Sequence, residues 1–180
     1  AGYDSNTYEL LPSAAKCYLR FRLGDIGACK SAQLKMVSLG QTNAFSNGYF
    51  YLYASLLEES SDTWDETTIT WANAPQNNVS GYDFIGNEIY LGNLYDDAPP
   101  AFGETMVFNL NAASLVGNRG ANNLVTIGLY QYYDVSEWAS QEHPTFAPPT
   151  LELIVTTNVP PRASFLTAAP GTGWSVDLQW

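Results

Sequence analysis

The chain has 180 residues, 46% of them hydrophobic and 14% aromatic, with a formal net charge of −11 from eighteen acidic and seven basic residues. That length suits one domain of ordinary size with a real core. So few cations exclude a protein that tracks nucleic-acid phosphates, and no apolar run approaches the roughly 18 residues of a membrane-spanning helix.

Twelve Tyr, eight Phe and five Trp favour strands over helices, and fourteen Gly with ten Pro punctuate them. Period-two alternation predicts a strand over 16–23, with Cys17, Leu19, Phe21 and Leu23 on the inner face and Lys16, Tyr18, Arg20 and Arg22 on the outer. A second strand over 31–39 turns Ala32, Leu34 and Met36 inward and Gln33 and Lys35 outward. The run 49–57 sets Phe50, Leu52, Ala54 and Leu56 against Tyr49, Tyr51, Tyr53 and Ser55. Further strands are predicted at 68–71, 84–92, 104–110, 124–132 and 150–157, with single helical turns near Asn111–Val116 and Ser136–Ala139. Turn clusters separate them at Gly40–Gly48, Ala74–Gly81, Asp96–Pro100 and Gly117–Asn123. Many short strands with regular turns imply an all-β antiparallel sandwich or barrel.

The domain is expected over 1–157. Asn158-Val159-Pro160-Pro161 reads as a stiff linker. A tail follows in which Trp174, Val176, Leu178 and Trp180 alternate on one face of a strand-like piece. That tail is expected to pack on its own domain or on a neighbouring chain. A start at Ala1-Gly2 suits a processed, secreted product, and so does an excised piece. In an oxidising compartment Cys17 and Cys29 could close a loop worth roughly 3 kcal/mol; two buried free thiols are the other reading. Asn78-Val79-Ser80 matches a glycosylation sequon in a loop-like stretch.

Several landmarks fall in order along these strands. They are Tyr18-Leu19-Arg20-Phe21, then Ser31-Ala32-Gln33-Leu34, then the block Ser61 to Pro75 with its Trp64-Asp65-Glu66-Thr67-Thr68-Ile69-Thr70-Trp71 centre. Val107-Phe108-Asn109-Leu110, Ser136 to Glu142 and Pro149-Thr150-Leu151-Glu152-Leu153 complete them. Over about residues 3 to 157 this set resembles the disaggregatase-related DNRLRE family. The resemblance implies a jelly-roll sandwich of the kind appended to secreted polysaccharide lyases, glycosidases and surface proteins, one branch of which binds alginate. It implies a non-catalytic module and carries over no ligand-binding residues. Trp64 and Trp71 are expected as buried anchors. Glu66 is expected to accept backbone hydrogen bonds that fix a turn, with a catalytic acid as the lesser reading. Glu142 has the same two readings.

Chemistry of other kinds is poorly supplied. The one histidine, His143, precedes Pro144 and reads as a loop residue. No serine stands in a G-x-S-x-G elbow, and no His/Cys set has zinc spacing. No cofactor is expected. A structural calcium could use Asp62, Asp65, Asp96, Asp97 or Asp134, although no EF-hand pattern gathers them.

Two sugar-binding surfaces are candidates. One is the Tyr49, Tyr51, Tyr53 face, where rings could stack on sugar C–H faces, unless the tail or another chain covers it. The other gathers Lys16, Tyr18, Arg20 and Arg22 with Lys35 from the next strand, a basic face suited to uronate or sulfate, or simply a solvated surface. The expected partner is a polysaccharide, or further copies of the chain joined by terminal strand exchange into a filament or surface layer. A polysaccharide-degrading enzyme is the remaining, weaker reading.

Overall fold

The computed structural model describes residues 3–4, 9–10, 16–42, 50–58, 63–81, 83–120, 122–131 and 135–156. Among the described residues, ten strands and one short helix follow in order: β1 (Tyr3–Asp4), β2 (Glu9–Leu10), β3 (Lys16–Arg22), β4 (Cys29–Thr42), β5 (Phe50–Leu56), β6 (Ile89–Asp96), β7 (Thr105–Leu110), α1 (Ala112–Gly117), β8 (Leu124–Gln131), β9 (Val135–Trp138) and β10 (Thr150–Val155). β1 and β2 pair with each other.

The other eight make two antiparallel four-stranded sheets. One runs β3-β8-β5-β6; in the other β4 lies between β10 and β7, and its far end pairs with β9. The inward residues of both sheets form a single core. Ala32, Leu34, Met36, Met106, Phe108 and Leu110 come from the β4 sheet, and Leu52, Ala54, Leu56, Val125, Ile127 and Leu129 from the β8 sheet. The fold is therefore an all-β antiparallel sandwich, as the alternation implied. The predicted faces of β3, β4 and β5 are the observed ones, because a period of two leaves only one way to bury the apolar set.

α1 adds Ala112, Leu115 and Val116 to that core. Its N-cap is Asn111, whose side chain accepts from the Ser114 N–H at 3.0 Å.

Three sequence expectations fail locally. Residues 68–71 form turns, because side chains compete for the backbone there: the Thr67 N–H is taken by the Asp65 carboxylate and the Thr70 N–H by Asn73 Oδ1. The strand expected at 84–92 begins only at Ile89, after an isolated bridge from Asn77 to Phe84 and a left-handed Gly86 at φ 93°. The helical turn expected at Ser136–Ala139 is strand β9, drawn out by pairing with Ser38 to Thr42 of the long β4. The linker and tail from 158 onward, Tyr49, Asp62 and Asp134 lie outside the described residues.

Candidate functional site

Register decides which outward side chains meet on the β3-β8-β5-β6 sheet. One row reads Lys16, Tyr130, Tyr53, Asn93, and the next reads Tyr18, Gly128, Ser55, Tyr90. Beyond the first row Tyr51 faces Tyr95. This face divides into a covered half over β3 and β8 and an open half over β5 and β6.

The covered half lies under the segment 63–86. Phe84, only 4% exposed, sits on the sheet where Gly128 has no side chain; a Cβ at 128 would stand 2.5 Å from Phe84 Cε2. Its ring meets those of Tyr18 at 5.6 Å and Tyr130 at 5.7 Å, both edge-on. Trp64 meets Tyr18 edge-on at 6.2 Å and donates its indole N–H to Thr126 Oγ1 at 3.2 Å. The Arg20 guanidinium lies 4.9 Å above the Trp64 ring and donates to the Trp64 carbonyl. Lys16 is the central tie. Its ammonium donates to Asn77 Oδ1 at 2.6 Å, to the Asn78 carbonyl at 3.1 Å and to the Asp83 carbonyl, and stands 5.0 Å over the Trp71 ring. Burial lowers its pKa to about 8, against the upward pull of Asp83 and Glu88.

These positions correct the expected roles of the tryptophan block. The indoles are not buried core anchors; the block caps the outside of one sheet. Trp64 is half-buried, and Trp71 is 39% exposed with its N–H on the Val79 carbonyl. The turn is fixed by Asp65, which takes the Thr67 N–H at 2.8 Å and the Thr67 hydroxyl at 2.6 Å, while Glu66 is exposed. Those two hydrogen bonds hold the Asp65 carboxyl below its usual range.

The predicted basic face is not assembled. β3 and β4 belong to different sheets, so Lys35 points from the opposite side of the sandwich, where it pairs with Glu152 at 2.7 Å. Arg22 donates to the Asn122 carbonyl. Lys16 and Arg20 hold the cap to the sheet.

The open half carries tyrosines. Tyr53 stacks on Tyr130 with centroids 4.9 Å apart and planes at 9°. Tyr51 lies 4.6 Å from Tyr53 and 5.5 Å from Tyr95. Tyr95 and Tyr90 are 49% and 54% exposed. The sequence singled out Tyr51 and Tyr53 but missed Tyr90, Tyr95 and Tyr130. Their outward parity could be read within each strand, but their adjacency needed the pairing between strands.

Along β3 runs a cleft that reaches the ends of β8 and β5 at Gln131 and Leu52. Its two parts have volumes of about 400 and 620 Å³ and share Cys17, Tyr18, Trp64, Glu66 and Trp138. Glu142, exposed, lines the larger part and Gln131 the smaller.

Cys17 and Cys29 are free thiols, so the expected loop closure is not made. Cys17 faces the core from β3, where burial raises its pKa to about 11. Cys29, on the other sheet, shares its one S–H between the Ser31 and Ile154 carbonyls, at 3.0 and 3.4 Å. Asn78 is half-buried, and its amide donates to Asp83 Oδ1 at 2.8 Å. His143 Nδ1 accepts from the Thr145 and Phe146 N–H groups and so braces its loop. Among the described residues no group of three or more His, Cys, Asp or Glu could hold a metal ion.

Residues 5–86 match carbohydrate-binding module family 96. The match takes in β3, β4, β5 and the cap to its last residue, Gly86, and it supports a carbohydrate-binding module. Family 96 thus covers Tyr51, Tyr53 and the whole cap, while Tyr90, Tyr95 and Tyr130 lie beyond the matched residues. No curated protein matches the chain.

Proposed function

We propose that this chain is a non-catalytic module of an exported or cell-surface protein that holds an extracellular polysaccharide on the open half of the β3-β8-β5-β6 sheet. The observation that carries the reading is the continuous ring row Tyr130, Tyr53, Tyr51, Tyr95, packed at 4.6 to 5.5 Å with Tyr90 beside it. Pyranose C–H groups pack against the edges and open faces of such rings, and an extended row suits the side of a chain better than its end. The likeness to family 96 over residues 5–86 and the resemblance to disaggregatase-related domains both favour a sugar as ligand. The chain's net charge of −11 and the exposed Asp96 and Asp97 beside Tyr95 favour a neutral polymer over an anionic one.

Affinity electrophoresis and calorimetry against a panel of soluble neutral and acidic polysaccharides test this. The wild type should be retarded by at least one neutral polymer. Tyr53→Ala and Tyr51→Ala should each weaken binding about tenfold or less, the scale of a lost aromatic stack. Wild-type indifference to every polymer, or full binding by the double variant, would refute the reading.

A further inference from the structure

The tyrosine platform leaves the cleft beside β3 unexplained. The side chains of Lys16, Tyr18 and Arg20 come to it from the outer face of β3, and Cys17, Leu19 and Phe21 from the inner face. It therefore follows β3, and its smaller part continues to Gln131 at the end of β8. Trp64, from the cap, and Trp138, from β9, line both of its parts.

Three buried polar atoms of residues lining the smaller part have no hydrogen-bond partner: Tyr18 Oη, Gln131 Nε2 and Ser136 Oγ. Buried polar atoms are nearly always partnered, so three around one cleft ask for an occupant. Gln131 is the most telling, being only 8% exposed. Its Oε1 accepts the Ser136 N–H at 2.7 Å, which fixes which end of the amide is oxygen and leaves the NH₂ group to spare. The Tyr18 phenol stays neutral, because burial raises its pKa far above the ordinary value. The three groups thus offer hydroxyl and amide hydrogen bonds without charge.

The charged groups point the same way. Lys16 is engaged by three oxygens of the cap, and Arg20 lies on Trp64. Facing them are Glu66 and Glu142, both exposed, which can accept from hydroxyls. Two engaged cations against two carboxylates give no pull on an anion.

We propose that the cleft is a second saccharide subsite, adjoining the platform at Tyr130, which takes one neutral glycosyl unit at the end of a chain or on a branch. The unit's hydroxyls replace the missing partners of Tyr18, Gln131 and Ser136, and its apolar face meets an indole. This rests on the carbohydrate-binding reading above.

The test uses the full chain and neutral gluco-, manno- and galacto-configured tetrasaccharides, with oligogalacturonate as the anionic counterpart. Binding is read by calorimetry and by the side-chain amide resonances of Gln131. At least one neutral tetrasaccharide should shift those resonances in the wild type and in Tyr51→Ala alike, since Tyr53 is the ring that stacks on the cleft-lining Tyr130. Tyr18→Phe with Ser136→Ala should weaken that binding about tenfold while leaving the melting temperature unchanged or raised, since both substitutions remove unpartnered groups. Gln131→Glu keeps the acceptor for Ser136 but loses the NH₂, and should weaken it too. If tetrasaccharides bind but only platform substitutions affect them, with Gln131 unmoved, the cleft holds water alone. That result overturns the inference and leaves the module reading standing. Tighter binding of oligogalacturonate at Gln131 overturns the neutral class, as would a size-exclusion shift to a self-associated form that blocks the cleft. If no saccharide binds at either place, both proposals fall.

Discussion

Replacing Gly128 with alanine sets one methyl group against the ring that holds the cap. The added Cβ would stand 2.5 Å from Phe84 Cε2 and 3.0 Å from Cε1, and closer still to Cζ, where ordinary contact begins near 3.4 Å. Phe84 is almost fully buried between Tyr18 and Tyr130, so it has little room to slide. If the ring shifts, the overpacking costs about 1 kcal/mol; if it is expelled, the cost rises toward about 3 kcal/mol as its burial is lost. For a chain of this length each kcal/mol moves the melting temperature by about 2–4 °C. Urea denaturation of wild type, Gly128→Ala, Phe84→Leu and the double variant gives a complete cycle, provided m stays constant. Phe84→Leu opens space beside residue 128, so the double variant should be less destabilised than the sum of the single ones by about 0.5–2 kcal/mol. Additive losses, or a neutral Gly128→Ala, would show that the ring does not rest on that glycine.

Lys16 and Cys17 should give opposite pH dependences. Between about 8 and 10.5 the unfolded chain holds the Lys16 proton more tightly than the folded one, so this residue makes stability rise with pH. Between 9.0 and about 11 the folded chain holds the Cys17 proton more tightly, so this one makes stability fall. Denaturation midpoints should therefore change little across pH 9 to 10 in the wild type, fall in Lys16→Met and rise in Cys17→Ala; parallel curves for all three would contradict this. Asp65→Ala should lower the melting temperature more than Glu66→Ala, because only Asp65 accepts bonds from the turn, and the reverse order would remove its assigned role. Thiol titration of the unreduced, denatured protein should find two thiols per chain, and finding none would restore the Cys17–Cys29 loop closure.

What the sequence disclosed and what it hid follow one physical division. Alternation revealed the inner and outer faces of β3, β4 and β5, because burial acts on each strand separately. It could not show that β3 and β4, consecutive in the chain, lie in different sheets, and the imagined union of Lys35 with Arg20 depended on their pairing. The cap was misread for a related reason. Trp64 and Trp71 look like core residues by type, and only the three-dimensional course of 63–86 shows that they cover the outside of a sheet. Turns at 66–73 overrode strand propensity through Asp65 and Asn73, a competition that residue type signals but spacing does not rank. The tyrosine row was half legible, since Tyr51 and Tyr53 share one strand while Tyr95 and Tyr130 reach them only through the ladders of β6 and β8.

The cap and the platform are mechanically continuous. Phe84 touches Tyr130 edge-on, Tyr130 stacks on Tyr53, and Tyr53 contacts Tyr51. A ring held on both sides has little rotational freedom left to lose when a sugar settles on it, and that lowers the entropic cost of binding. Gly128→Ala should then weaken saccharide binding by the platform even though residue 128 lies beneath the cap and touches no sugar. The loss should appear at temperatures where the protein remains folded, because it arises from the looser ring row and not from unfolding. The same argument explains why half the sheet is covered at all. The segment 63–86 closes β3 and β8 with apolar rings and a lysine tie, and its border at Tyr130 sets where the open surface begins.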